Sequence, residues 1–240
     1  MKFKLTLCLL ISLIYFSASA CVCDNVIITK QFQRANLVAK IKILTITQDT
    51  LNADYHNADI EILDLYKGQH IKKIKVFTWL KSSCGFLPEA GSTWLVFASF
   101  FNNRFSFGYC NSTLVDSNPD EKENYKDKTI LQLEALKFLK NDNITHPNPY
   151  NVRVYNLNLS STKAIKEQNR FAIYLVQINQ KSSTPKIKAL RKFSARASNK
   201  LVEKAISHAK FSREPLTRTT EMILVIYHDV KLGFMNIDIS

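Results

Sequence analysis

WLVFASFFNNRFSFGYC, residues 94–110, is the stretch that decides how this chain folds. Trp94 to Phe100 is a continuous apolar run of core-strand length. Asn102-Asn103 then makes a hairpin turn, and Phe105, Phe107 and Tyr109 alternate along a second strand. Three more strands precede this hairpin. Asn36 to Ile46 alternates as a half-buried strand does, DIEILDLY (59–66) does the same and ends at Lys67-Gly68, and KIKVFT (73–78) is the third. Five strands in fewer than 90 residues, with turns between them, close most naturally as a small barrel, because a barrel leaves no exposed edge.

Downstream, Thr129 is placed to cap a helix from Ile130 to Leu139. Asn141 to Tyr150, rich in Asn and Pro, breaks regular structure and is expected to be a linker, the first site of limited proteolysis. A different pattern follows it. Phe171 to Ile178 and Lys186 to Phe193 are strand-like, Ser198 or Asn199 is placed to cap a helix to Lys210, and Met222 to Tyr227 is a buried strand. The expected organisation is a mainly β domain, 21–140, a linker, 141–150, and a small α+β domain of order β-β-α-β, 151–240.

The first twenty residues have the form of a secretory signal: Lys2 and Lys4, an apolar run from Leu5 to Phe16, then Ala18-Ser19-Ala20. That run is about half of the ~20 residues that a membrane-spanning helix needs. Removing 20 of the 240 residues leaves 220 and makes Cys21 the N-terminus. The expected location is outside the cytoplasm: periplasm, outer envelope or extracellular space. A lipid on Cys21 is the alternative, disfavoured by Ala18, where a lipobox usually has Leu, and by the cysteine count. Cys8 leaves with the signal, and Cys21, Cys23, Cys84 and Cys110 remain, an even number for an oxidising compartment. Cys21 and Cys23 lie two apart on one face of an extended segment, where a bond between them is strained. Each is expected to pair with one of Cys84 and Cys110, in either combination, and each such loop contributes roughly 4 kcal/mol by chain entropy. A Cys21 held in this way presents a rigid α-amine beside its own carbonyl, a bidentate chelator for a metal ion.

The formal net charge of +13 becomes +11 without Lys2 and Lys4. A solvated basic surface is the plain explanation; contact with anionic lipid, polysaccharide or nucleic acid is the sharper one. No basic-aromatic motif points to nucleic acid, and export argues against it. The five His show no metal-ligand spacing, the five Gly form no phosphate loop, and Cys21-Val22-Cys23 is not the Cys-x-x-Cys of redox enzymes. The expectation is a non-enzyme with no cofactor and no metal site of its own.

Taken together, Cys21-Val22-Cys23, DIEILDLYKG (59–68), SSCGF (82–86), GSTWLVFA (91–98) and FGYC (107–110) resemble the netrin-like domain, and within it the N-terminal domain of tissue inhibitors of metalloproteinases. The resemblance covers 21–140. It implies a five-stranded OB-like barrel plus helix, with Cys21–Cys84 and Cys23–Cys110 disulfides. It also implies a role for the N-terminus: the amine and carbonyl of Cys21 would chelate the zinc of a metalloendopeptidase. Val22 would enter the specificity pocket, and Ser82, Ser83 and Cys84 would pack alongside. The family's usual third disulfide and its cysteine-rich second domain are both missing here. Through YLVQINQKSSTPKIKALRKF (174–193), SNKLVEKAISHAKFSREPL (198–216) and MILVIYHDVKLGF (222–234), residues 170–234 are similar to the C-terminal domain of TonB-type proteins, which implies a protein-binding module offering an edge strand. The expected partner is therefore a zinc metalloendopeptidase or another envelope protein.

Overall fold

A computed structural model describes residues 21, 23, 27–115, 123–141, 154–159, 165, 167–179, 184–211, 220–229 and 234–237. The expected signal segment, 1–20, and most of the expected linker lie outside them. Among the described residues no helix is long and apolar enough to cross a membrane.

The first half is a closed five-stranded barrel. Its strands are β1 (Leu37–Gln48), β2 (Tyr55–Lys67), β3 (Lys73–Phe77), β4 (Thr93–Phe101) and β5 (Arg104–Gly108), hydrogen-bonded in the order β1-β2-β3-β5-β4, with β1 and β4 closing the ring. All neighbours are antiparallel except β3 and β5. Closure depends on β1 serving two partners: its first half pairs with β4 from Leu37↔Ala98 to Lys42↔Thr93, and register shifts at Val38/Ala39, Lys40/Ile41 and Ile43/Thr45 bend it along β2. The β4–β5 turn is the expected one. Asn102 and Asn103 have φ of 49° and 58°, the left-handed pair of a two-residue hairpin. Gly68 is obligatory after β2: its φ is 92°, and a Cβ there would lie 2.5 Å from the Asn36 carbonyl oxygen. Leu37, Ile41, Ile60, Val76, Val96 and Phe107 fill the barrel.

The other face of the same strands belongs to a second core. Val38, Leu95 and Phe97 pack with α1 (Ile28–Arg34) and α2 (Glu123–Asn141), and also with Ile173, Ile223 and Val225 of the second half. That half is an antiparallel sheet, β12-β11-β8-β9, formed by β8 (Phe171–Ile178), β9 (Lys186–Arg191), β11 (Thr220–Asp229) and β12 (Phe234–Ile237). β8 and β11 show no polar alternation because both faces are covered. Phe171, Ile173 and Leu175 face the barrel side; Tyr174, Val176 and Leu224 face α3 (Arg196–His208) through Val202 and Ile206. A short pair, β7 (Val154–Tyr155) with β10 (Lys210–Phe211), completes this half, while β6 (Ser112–Leu114) extends the barrel sheet on β4.

Three expected helix boundaries are corrected. α2 starts at Glu123, and Thr129 is a buried residue within it, not its cap, because the Glu- and Lys-rich segment before it favours helix. α3 starts at Arg196 and stops at His208; Ser198 and Asn199 are buried inside its first turns. Its N-terminus is served from outside instead. The Glu167 carboxylate accepts from Ser194 N (3.0 Å), Ser194 Oγ (2.6 Å), Ala195 N (3.3 Å) and Ser198 Oγ. Asn199 Oδ1 accepts from Tyr174 Oη and from Phe193 N, each at 2.9 Å, and so ties α3 to the sheet. Glu167→Ala should lower stability by about 1–3 kcal/mol, since it strips several donors at one helix end. A thermal melt at neutral pH checks this; an unchanged midpoint would remove Glu167 from the account of α3.

Helix α1 was not expected. Its C-terminal carbonyls are capped by Lys67, whose Nζ donates to Phe32 O and Gln33 O, both at 2.8 Å. Burial pushes the Lys67 ammonium pKa below its ordinary value.

Candidate site at the N-terminal cysteines

Cys21 is bonded to Cys84, with Cα atoms 4.9 Å apart, and Cys23 to Cys110, with Cα atoms 5.3 Å apart. The two bonds fasten neighbouring residues to two different parts of the barrel: the loop after β3 and the 3-10 turn after β5 (Tyr109–Asn111). β3 and β5 are the parallel pair, so their C-terminal ends lie side by side and bring both anchors to one end of the barrel. Cys21 and Cys23 are partly exposed there. Val22 lies outside the described residues.

The loop that holds Cys84 is rigidly built. Thr78 N and Oγ1 both donate to Asp54 O (2.8 and 3.1 Å), and the buried His56 ring lies 3.0 Å from Thr78 Oγ1. Phe86 N donates to Thr78 O at 2.8 Å and closes the base. Inside the loop Ser82 does three things: its N and Oγ both donate to Trp79 O, its Oγ accepts from Cys84 N, and its carbonyl accepts from Gly85 N. The Ser82 hydroxyl is thus committed to shaping the loop, while Ser83 is exposed on its surface. Phe86 plugs the loop into the barrel, its ring 5.1 Å from Trp94 and 6.2 Å from Phe107.

Sequence reasoning missed what flanks the cysteines. Phe77 and Trp79 stack at 6.1 Å, and Tyr55, the cross-strand partner of Phe77, lies 5.2 Å from it. Phe77, Trp79 and Leu80 are 39%, 45% and 52% exposed, which makes an apolar strip on the surface of the Cys84 loop. Tyr109, beside Cys110, is 53% exposed. The signal was in Phe77-Thr78-Trp79-Leu80, where apolar residues run on past the end of a strand. Trp79 has φ 37°, a backbone state that bulky side chains rarely adopt, which the loop's hydrogen bonds impose.

Elsewhere, His56 and His228 are buried, whereas His70, in the β2–β3 loop, and His208, at the end of α3, are exposed. Among the described residues no group of three or more His, Cys, Asp or Glu is placed to hold a metal ion. No model of a known protein family matches the chain, and no curated protein matches it.

Proposed function

We propose that the chain, cut after Ala20, is an exported non-catalytic protein that inhibits a zinc metalloendopeptidase through the amine and carbonyl of Cys21. One observation carries the proposal: two disulfides fasten residues 21 and 23 to adjacent strand ends, beside an exposed strip of Phe77, Trp79 and Leu80. A catalytic zinc keeps one position open for water. A chelator already held in place displaces that water with little ordering cost, and the apolar strip supplies the surrounding contact area.

The test is titration of a panel of zinc endopeptidases with the mature protein. An α-amine has an unperturbed pKa of about 7.7–8.0, so near pH 7 most of it is protonated. Ligation requires the free base. Binding should therefore release a proton and tighten as pH rises toward 8. Inhibition of no member of the panel, with the N-terminus verified by intact mass as unmodified Cys21, would sink the proposal.

A second reading is an envelope interaction module without inhibitory activity. The Phe77–Trp79 strip favours it, because that surface needs no free amine to bind a protein. In that case Trp79→Ala abolishes capture of the partner while a blocked N-terminus does not.

A further inference from the structure

A concavity lies toward the other end of β3 and β5, roughly four residues or about 13 Å along the strands from the end that carries the cysteines. Its volume is about 770 Å3, well within the range of ligand pockets. Part of its wall is aromatic. Phe100 and Phe105 are paired across the β4–β5 hairpin, with rings 4.8 Å apart and tilted 55° to each other. Its rim carries the amides of Asn57, Gln69 and Asn103 and the guanidinium of Arg104.

These four polar side chains make no hydrogen bond or salt bridge among the described residues. Of the other cations of the wall, Lys75 is hydrogen-bonded and the exposed Lys73 is only loosely paired. Lys75 is bonded to the buried Asp49 carboxylate, which that bond holds below the usual carboxylate range, and Lys73 lies 3.8 Å from Asp59. Arg104, the guanidinium of this wall, makes no hydrogen bond among the described residues and adds to the positive field that lowers the Asp49 pKa. Its planar fork fits a carboxylate, sulfate or phosphate in two-point contact. Amides at three rim positions can both donate to and accept from hydroxyl groups. A phenyl face suits the C–H face of a sugar ring, and Phe100, the more exposed of the pair, offers one.

We infer that this cavity is a binding site for an acidic oligosaccharide, with Arg104 on the acidic group, Asn57, Gln69 and Asn103 on hydroxyls, and the Phe100 ring beneath a sugar ring. A lipid bilayer is the poorer fit, since the polar groups line a concavity and not a convex tip. The site is independent of Cys21, so a failed protease assay leaves it standing.

The experiment is calorimetric titration of the mature protein with a hexasaccharide of alternating uronic acid and sulfated amino sugar. A neutral glucose hexasaccharide, anionic phospholipid vesicles and a single-stranded oligonucleotide of matched charge are the comparisons. The acidic hexasaccharide should bind at least tenfold tighter than the neutral one. Arg104→Gln should weaken it at least tenfold, and Phe100→Ala several-fold. Lys200→Gln, an equal loss of charge on the exposed face of α3, should change nothing. Arg104 is exposed and unbonded, so its variant should fold as the parent does, which circular dichroism checks. Equal losses from Arg104→Gln and Lys200→Gln would assign the binding to net charge and overturn the site. So would equal affinity for the neutral sugar, or Arg104-dependent binding seen only with vesicles or only with the oligonucleotide.

Discussion

Adding one alanine in front of Cys21 should abolish inhibition while leaving the barrel intact. The extension moves the α-amine by one residue, ~3.5 Å, and turns the former amine into an amide. A zinc–nitrogen bond is ~2.0 Å, and an amide nitrogen has no free pair to offer, so chelation fails on both counts. A central contact of this kind contributes on the order of 4 kcal/mol or more, which corresponds to a ~1000-fold rise in the inhibition constant. The fold should not register the change. Both disulfides, closing separations of 63 and 87 residues, keep their partners, and the added residue lies at a partly exposed end. The measurement is parallel titration of a sensitive protease with both forms, alongside their thermal melts. Equal inhibition by the two forms would exclude chelation and leave the Phe77–Trp79 strip as the binding surface.

What the sequence revealed depended on how local each cause was. Asn102-Asn103 could be read as a turn because asparagine tolerates the left-handed backbone the hairpin needs, and the phenylalanines beside it alternate at the strand period. Gly68 ended β2 for a reason carried by its own backbone, a φ of 92° that glycine adopts readily. Spacing left the disulfide partners open, and the pairing observed is the one implied by resemblance to the netrin-like domain. Features fixed at long range stayed hidden. α1 has a short, weakly patterned sequence, and its place is set by the burial of Ile28 and by Thr29 Oγ1 donating to Ile223 O, 194 residues away. Thr129, Ser198 and Asn199 carried good capping chemistry, yet each sits inside its helix. The groups that decide α3's start are Glu167 and Tyr174, both distant in sequence. At the candidate site the cysteines were legible from composition and position. Trp79 was legible only as an apolar residue past a strand end; its φ of 37° goes with hydrogen bonds of Thr78 and Ser82 that no spacing announces.

Ile223→Ala, a change in the second half, should destabilise the barrel as seen by its own tryptophans. The chain has two Trp, Trp79 and Trp94, and both belong to the first half, so their fluorescence reports that half alone. Ile223 is 3% exposed, in one cluster with Val38 and Leu95 of the barrel and with Leu131 and Leu136 of α2. If the sheet unfolded by itself, that cluster would be opened to water, so the two halves should unfold together. Removing three carbons from a buried isoleucine costs about 2–5 kcal/mol, a large part of the ~5–15 kcal/mol that holds a domain folded. Urea unfolding followed by Trp fluorescence and by far-UV circular dichroism should therefore shift to lower midpoint by the same amount. A fluorescence transition that stays in place while the circular dichroism splits would make the cluster a docking contact between two independently stable domains. Cleavage between Asn141 and Tyr150 would then release both halves folded, whereas a shared core predicts that the nicked protein stays associated until it is denatured.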